Sequence, residues 1–361
     1  MKQLFCSLPK IQEKILSPGI SSARAALIIN TSRKWVNGTK LRYFFFDNEN
    51  DGSILEGTNI RVTWKGTEAQ KDVVRRAFAT WKNLGIGLHF EEVAHKEDAQ
   101  VRIGFMQGDG SWSFIGRDIL SQNVSERTMN FGWDISVPDQ ANGIGTALHE
   151  IGHTLGLFHE HQSNNAGIVW DEEAVFRALE QPPNNWSRPK TFENIIKKIS
   201  SLEANGSKWD PDSIMEYPFE KGLIKQPAEF KDGLFPPGTL SPMDIEWTLK
   251  FYPPVSQLAA STIMISQSTT IAAQNEEQQD FYFTPTETRY YNLQTFGKMD
   301  NVMVLFEQGV NKELTYLTAD DNGSLDRGSS IRIKLFRGKV YVIKMRVYYR
   351  TESEQASIMI W

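Results

Sequence analysis

Three histidines and one glutamate fall within eleven consecutive residues of this chain, in the stretch His149-Glu150-Ile151-Gly152-His153-Thr154-Leu155-Gly156-Leu157-Phe158-His159. Residues four apart lie on the same face of an α-helix, so His149 and His153 can present two imidazole nitrogens to one ion. Glu150, one step round the helix, can approach that ion without binding it. Gly156 is a natural helix stop because glycine accepts the left-handed conformation of a C-cap. The chain can then turn back and supply His159 as a third ligand.

Three histidine ligands leave the fourth position of a tetrahedral zinc ion open to water, which is typical of a catalytic site and not of a structural one. Zinc lowers the pKa of such a water toward about 7. Glu150 can then act as the general base and return the proton to a leaving amine. The alternative is an amphipathic helix whose histidines are satisfied by the core. The complete spacing disfavours it, so the stretch predicts a hydrolase with one catalytic Zn²⁺.

The same stretch resembles the signature of the metzincin zinc metalloproteases, and Glu160 directly after it is similar to the astacin branch of that clan. Further along, Asp212-Ser213-Ile214-Met215-Glu216-Tyr217-Pro218 resembles the astacin methionine turn, Ser-x-Met-x-Tyr. The resemblance implies that Met215 is an apolar floor under the metal. It also implies that Tyr217 is a movable fifth ligand and the oxyanion stabiliser, and that Glu160 supports the site from behind. Ordinary packing is the alternative for Met215 and Tyr217.

The resemblance extends outward from the site and implies an α+β fold, a twisted mixed sheet with an active-site helix and a C-terminal helix. The apolar stripe from Thr67 to Trp81 predicts an amphipathic helix, and the alternation from Ala99 to Phe105 predicts a strand. Ser241 as N-cap and Pro242 at the first helical position start the closing helix. We assign residues 31–254 to this protease domain.

Residues 255–361 lack helical periodicity and consist of short β-type runs separated by turn residues, which predicts a small all-β sandwich. The strands are expected at Asp280–Phe283, Tyr290–Leu293, Val302–Phe306, Ser330–Leu335, Val340–Met345 and Ser357–Ile360. The segment from Asp280 to about Tyr348 resembles the bacterial pre-peptidase C-terminal domain. This resemblance implies attachment of the protein to a matrix or surface.

Three aspartates of this C-terminal segment, Asp300, Asp320 and Asp321, could contribute oxygen ligands to a Ca²⁺ ion. Turn aspartates that bond to their own backbone explain them equally well. Calcium is therefore a second candidate metal beside zinc.

Residues 1–30 match no part of the protease domain and are interpreted as an N-terminal extension or a short prosegment. Cys6 is the only cysteine in the chain, so an intrachain disulfide is excluded. This lack suggests a microbial astacin-like protein or a reducing compartment. A thiolate is a strong zinc ligand, and Cys6 could close the open coordination position as matrixin cysteine switches do. The residues around it do not match the matrixin switch, and astacins normally use an aspartate, so an inert cysteine is the alternative.

The net charge of −5 argues against nonspecific nucleic-acid binding, because the chain has no basic excess to displace phosphate counterions. No apolar run approaches the roughly 18 residues that span a bilayer. The family resemblance favours secretion, but the apolar part of Met1 to Lys10 is too short and broken for a signal peptide. Export by another route, a missing leader and a cytoplasmic location all stay open.

The sequence thus predicts a zinc metalloendopeptidase that acts on protein or peptide substrates. One alternative is a matrix- or partner-binding protein with a vestigial zinc site, which the intact Glu150 disfavours. The other is a matrixin-like protease, which Glu160 and Tyr217 disfavour. His161 has no place in the motif and is interpreted as a surface or rim residue. The insert Gly167–Asp210, with its three tryptophans, is expected to shape the lower wall of the cleft.

Overall fold

The structure, a computed structural model, describes residues 5–9, 33–35, 38–137, 143–199, 208–252, 254, 260–275, 277–321, 323–324, 328–350 and 356–361. The chain divides into two compact units. The first comprises Met1–Trp35, Leu41–Leu84 and His89–Thr248, and the second comprises Val36–Lys40, Gly85–Leu88 and Leu249–Trp361. Of the predicted extension 1–30, only residues 5–9 are described. Pro253 and Val255, at the predicted domain boundary, lie outside the described residues.

The first unit is built on a mixed five-stranded sheet with the order β4-β1-β5-β7-β6. Its strands are β1 (Lys40–Phe45), β4 (His89–Glu92), β5 (Val101–Gly104), β6 (Trp112–Ser113) and β7 (Met129–Asn130). β1, β5 and β7 run parallel, whereas β6 is antiparallel to β7 and forms one edge. A separate hairpin joins β2 (Gly52–Ile54) to β3 (Arg61–Thr63).

The amphipathic helix predicted from Thr67 is α1 (Glu68–Asn83), and its start is fixed by a complete capping box. The Thr67 side chain accepts from the Gln70 amide, and the Gln70 side chain accepts from the Thr67 amide. Such reciprocal capping satisfies two amides that the first turn leaves without partners. On the buried stripe, the Trp81 indole donates to the Leu148 carbonyl at 3.1 Å. This bond ties α1 to α2 (Gly143–Thr154), which carries the histidine motif.

α2 ends where the sequence predicts, since Gly156 has a φ of +96° and the Leu157 amide donates back to the Gly152 carbonyl at 3.0 Å. The remaining segments up to Phe251 are β8 (Val169–Trp170), α3 (Glu172–Glu180), α4 (Arg188–Thr191) continuing into the π-helical Phe192–Ile196, β9 (Ile224–Gln226) and α5 (Pro242–Phe251). Short 3₁₀ turns lie at Lys96–Asp98, Gly116–Ser121, Glu160–Gln162, Asn164–Ala166 and Ala228–Phe230. Across the described part of the chain, no helix combines the length and apolar character that a membrane crossing requires.

The second unit is a sandwich of a five-stranded sheet, β10-β12-β17-β14-β15, and a four-stranded sheet, β11-β18-β13-β16. The strands are β10 (Ser261–Thr262), β11 (Thr269–Thr270), β12 (Gln278–Phe283), β13 (Arg289–Phe296), β14 (Met299–Gln308), β15 (Leu314–Asp320), β16 (Ser330–Leu335), β17 (Val340–Arg350) and β18 (Ser357–Ile360). Side chains of both sheets, such as Phe281 and Tyr291, share one buried core. The α+β fold followed by an all-β sandwich is therefore confirmed.

Candidate metal centre

The three histidines of the motif converge on one point together with Cys6. One ligand atom from each of the four side chains lies within 4.8 Å of all the others, and all four residues are buried. The Nε2 atoms of His153 and His159 are 3.0 Å apart, and Cys6 Sγ lies 3.7 Å from Nε2 of His153. Ligand atoms of a tetrahedral zinc site are about 3.3 to 3.8 Å apart, given its usual bond lengths.

Each histidine is oriented by a hydrogen bond from Nδ1 to an oxygen that can only accept. The acceptors are the Ile214 carbonyl for His149 (2.7 Å), the Leu157 carbonyl for His153 (2.8 Å) and the Gln162 side-chain oxygen for His159 (3.3 Å). With the proton on Nδ1, the lone pair of each Nε2 faces the centre of the cluster. Burial lowers the pKa of His149 to about 4 and holds those of His153 and His159 well below the usual value. The rings are therefore neutral, which is the form that binds metal.

Acceptor atoms of this cluster are left unsatisfied in a way that a bound cation would relieve. Nε2 of His149 is buried with no hydrogen-bond partner among the described residues. The unprotonated Nε2 atoms of His153 and His159 face each other at 3.0 Å, where two lone pairs repel. A buried acceptor without a donor is costly. Three neutral imidazole nitrogens with a thiol beside them are the ligand types of zinc, so a zinc ion satisfies all of these atoms at once.

Glu150 lies inside the same buried space with none of its surface exposed. Its Oε2 is 3.6 Å from Cys6 Sγ, and its Oε1 has no hydrogen-bond partner in the described chain. Burial raises the pKa of this carboxyl well above its usual value. A carboxylate beside the ligands, with one oxygen uncommitted, is placed to exchange a proton with a molecule at the metal.

Met215 packs against α2 through a contact that sequence reasoning missed. A Cβ atom on Gly152 would lie 2.4 Å from the Met215 sulfur, closer than real atoms approach. The side chain of Met215 is buried and occupies the space that a larger residue at 152 would need. Gly152 lies between His149 and His153 on α2, and its lack of a side chain leaves room for the Met215 sulfur against the helix. The sequence signal that could have indicated this contact is the position of Gly152 between His149 and His153.

Asp244 of α5 is a second residue that sequence reasoning missed. Its carboxylate accepts from the Ser213 hydroxyl at 2.6 Å and from the Ile214 amide at 2.8 Å. The Ile214 carbonyl in turn accepts from His149. Asp244 therefore fixes the methionine turn, and through the turn it fixes the orientation of His149, a candidate metal ligand. Nothing in the local sequence marks it beyond its place three residues after the N-cap Ser241, whose hydroxyl accepts from the Asp244 amide at 2.9 Å.

Replacing Asp244 by asparagine should weaken zinc binding about 10- to 100-fold, the usual effect of losing a partner that orients a ligand. The amide keeps the shape but loses the charge that holds three donors, the Ser213 hydroxyl and the amides of Ile214 and Ser241. The measurement is competition for zinc with a chromophoric chelator. Asp98→Asn, at an exposed site in the same unit, is the control. An unchanged zinc affinity in Asp244→Asn would contradict the positioning role.

The Tyr217 hydroxyl lies beside the histidine cluster. Its oxygen is 2.7 Å from Nε2 of His159, and it donates to the Cys6 carbonyl at 2.7 Å. Burial raises the pKa of Tyr217 well above its usual value, so the hydroxyl keeps its proton. One face of the ring stacks on His161 with a centroid separation of 4.7 Å.

The interpretation of His161 as a surface or rim residue is wrong, because none of its surface is exposed. Its Nε2 donates to the Asn194 carbonyl at 3.0 Å, and its ring supports Tyr217 from behind. The error arose because the motif assigns His161 no role. Its burial depends on a segment more than thirty residues further along the chain.

Glu160 lies behind the ligands, where its Oε2 accepts from the Asp210 amide at 3.4 Å. Burial and the neighbouring Glu216 carboxylate raise the pKa of Glu160 to about 8.

In the second unit, Asp320 accepts from the amides of Gly323 (2.6 Å) and Ser330 (2.7 Å). These are the bonds of a turn aspartate to its own backbone. Within the described residues, the Cys6 cluster is the only group of three or more candidate ligands. Calcium at Asp300, Asp320 and Asp321 stays a prediction.

Comparison with known proteins finds a family model whose matched range contains these residues. Residues 57–222 match the model of the astacin peptidase family. These residues are therefore similar to an astacin peptidase domain. The match contains all three histidines, Glu150, Met215 and Tyr217, and it agrees with the metzincin resemblance of the sequence.

A solved structure described as that of myroilysin is 28% identical, with a TM-score of 0.52, over 62% of this chain and 98% of that one. The zinc metalloproteinase nas-36 of Haemonchus contortus is 26% identical over 49% of this chain. The chain spans only 27% of the length of nas-36. For the second unit, a pre-peptidase C-terminal domain of a Bacillus anthracis collagenase is 10% identical over 28% of this chain and 94% of that one, with a TM-score of 0.23. This last likeness is weak.

Proposed function

We propose that the protein is a zinc metalloendopeptidase, which hydrolyses internal peptide bonds of protein substrates. The observation that carries the proposal is the convergence of three neutral, buried Nε2 atoms next to the uncommitted carboxylate of Glu150. The match to the astacin family supports it. Secretion and attachment through the second unit are part of the same proposal, and only the sequence resemblance supports them.

His149, His153 and His159 would hold the zinc ion, which when bound polarises a carbonyl oxygen and acidifies a water. Glu150 accepts the proton of the attacking water at the carboxylate and passes it to the leaving amine. Its burial raises its pKa, which suits a group that must hold a proton between the two steps. Tyr217 donates its hydroxyl proton to the carbonyl oxygen as negative charge develops there. The same hydroxyl donates to the carbonyl of Cys6 in the described conformation.

The described conformation corresponds to a latent enzyme, in which Cys6 would supply a fourth ligand to a bound zinc ion. Its thiol lies among the histidine nitrogens and touches Glu150, and the residue is almost completely buried. Burial and the Glu150 charge raise the pKa of the free thiol, whereas a coordinating thiol is deprotonated by the metal. With Cys6 in place, a substrate carbonyl has no access to the metal or to Glu150. The location at the site supports the switch interpretation over an inert cysteine.

The test is cleavage of denatured casein by the full chain with Cys6 replaced by alanine, with and without o-phenanthroline. The expected result is hydrolysis that the chelator stops and added zinc restores. Zinc-loaded variant protein that leaves casein intact would favour the alternative of a binding protein with a vestigial site.

Tyr217→Phe should lower kcat about 100-fold with little change in KM, since removing one oxyanion donor costs on the order of 3 kcal/mol in the transition state. The measurement is steady-state cleavage of a fluorogenic peptide in the Cys6→Ala background. Tyr291→Phe is the matched control, because that buried hydroxyl also donates to a backbone carbonyl, that of Glu287, in the second unit. A kcat equal to that of the control would assign oxyanion stabilisation to another group.

A further inference from the structure

The residue before Cys6 fills a pocket of its own. The side chain of Phe5 is 8% exposed and lies among three aromatic rings. Its ring centroid is 5.3 Å from that of Tyr217 in an edge-on arrangement, 5.9 Å from that of Phe219 and 6.2 Å from that of Trp186. We call the space between Trp186, Tyr217 and Phe219 the Phe5 pocket. Edge-on and tilted contacts at these distances are the favourable geometries of aromatic pairs.

The pocket adjoins the catalytic groups directly. Tyr217 forms one wall with its ring while its hydroxyl lies 2.7 Å from the His159 ligand atom. Phe219 follows two residues later and packs on the Trp170 ring at 4.7 Å. The Tyr217 hydroxyl donates to the carbonyl of Cys6. The side chain that fills the Phe5 pocket therefore comes from the residue directly before that carbonyl.

Main-chain hydrogen bonds hold residues 5–8, as they hold a bound peptide ligand. The Phe5 amide donates to the Asn184 side chain at 3.2 Å, and the Leu8 amide donates to the Asn194 side chain at 3.0 Å. The Ser7 amide donates to the Ser111 carbonyl at 3.3 Å, directly before the edge strand β6. These bonds need no particular side chain, so any extended peptide can make them. Selectivity must then come from the pockets that receive side chains.

We infer that the Phe5 pocket is the main specificity pocket of the enzyme, and that the substrates are polypeptides cleaved beside a large aromatic or aliphatic residue. This inference rests on the proposed function. The pocket walls belong to an apolar cluster with Trp170, Ile195 and Leu223. A charged side chain there would lose its hydration at a high cost. A positive charge lies near the pocket, since Lys190 Nζ is 5.2 Å from the Trp186 ring centroid. This ammonium group would attract an acidic side chain.

The first test is a cleavage profile from the full chain with both Phe5→Ala and Cys6→Ala, which empties the pocket and uncovers the metal. Peptides from a digested proteome are incubated with this variant, and the new termini are identified by mass spectrometry. Phe, Tyr, Leu and Met should be favoured at least about tenfold over Asp, Glu and Lys at a position flanking the cleaved bond, as burial of a large apolar side chain implies.

A flat profile or an acidic preference, with chelator-sensitive cleavage intact, would overturn the inference but leave the proposed function standing. Zinc-loaded protein that cleaves no peptide at all would instead overturn the proposed function.

The second test changes the pocket wall. In the same background, Trp186→Leu should lower kcat/KM about tenfold for a peptide with Phe at the selected position, and much less for its Ala counterpart. Phe176→Leu is the matched control, because Phe176 lies in the same apolar cluster and its ring makes no contact with Phe5 among the described ring pairs. Equal losses on both peptides would overturn the assignment.

A binding measurement covers the case in which Trp186→Leu fails to fold. A synthetic peptide with the sequence of residues 3–9, carrying Cys6→Ser, is titrated into the zinc-free form of the Phe5→Ala, Cys6→Ala chain by calorimetry. A second peptide also carries Phe5→Ala. The second should bind about tenfold or more weakly, since it leaves the pocket empty. Equal affinity of the two peptides would overturn the inference without any reference to activity.

Discussion

Replacing Glu150 by glutamine should remove nearly all peptide hydrolysis and leave the zinc content unchanged. Glutamine has the shape of glutamate but cannot accept the proton of the attacking water, and general-base catalysis contributes about 10²- to 10⁴-fold to rate. Zinc stays because its three histidine ligands and their Nδ1 partners are untouched. The measurement pairs kcat/KM on a fluorogenic peptide with zinc content by elemental analysis, both in the Cys6→Ala background.

Two further variants serve as controls for this prediction. Glu97→Gln, at an exposed carboxylate of the same unit, should behave as the parent does. His153→Ala should lose both activity and metal, because it removes a ligand. A Glu150→Gln protein with full zinc and parental turnover would show that another group takes the proton.

Replacing Cys6 by alanine in the full chain should raise peptidase activity about tenfold or more. The substitution removes the thiol contact at the metal, and a contact worth about 1.4 kcal/mol already changes an equilibrium by a factor of about ten. Activation should be incomplete, because Phe5 still fills its pocket and the backbone bonds of residues 5–8 persist. The double variant with Phe5→Ala should therefore be more active than Cys6→Ala alone.

A thiol-reactive chromophore provides a second measurement of Cys6 that does not depend on activity. In the zinc-loaded parent, Cys6 should react slowly, and removal of zinc should make it react faster. Rapid reaction in the zinc-loaded protein, together with unchanged activity of Cys6→Ala, would show that Cys6 is not a ligand.

The parts of the molecule that the sequence predicts well are those fixed by residues close together in the chain. The spacing of His149 and His153 follows from the helical repeat, and Gly156 ends the helix through its own backbone freedom. The capping box of Thr67 and Gln70 fixes the start of α1 in the same local way. In the second unit, six strands follow from apolar runs between turn residues.

The parts that the sequence does not predict depend on contacts between distant segments. Cys6 reaches a cluster whose other members lie more than 140 residues away, and local sequence could only offer it as one of two alternatives. Burial of His161 requires the Asn194 segment. β15 (Leu314–Asp320) lacks the alternation of buried and exposed residues that marks a half-buried strand, so pairing with β14 and not its own pattern makes it a strand.

The contact between Gly152 and the Met215 sulfur makes these two positions a coupled pair. A side chain at 152 overlaps the methionine sulfur, so the side chain at 215 has to shift or become smaller to accept it. Shrinking residue 215 first opens a cavity beneath the metal ligands, which has its own cost in stability. The combined change should then cost less than the sum of the two separate changes, as is usual for residues in contact. The effect of a substitution at either position therefore depends on the residue at the other, which couples the helix to the turn beneath it.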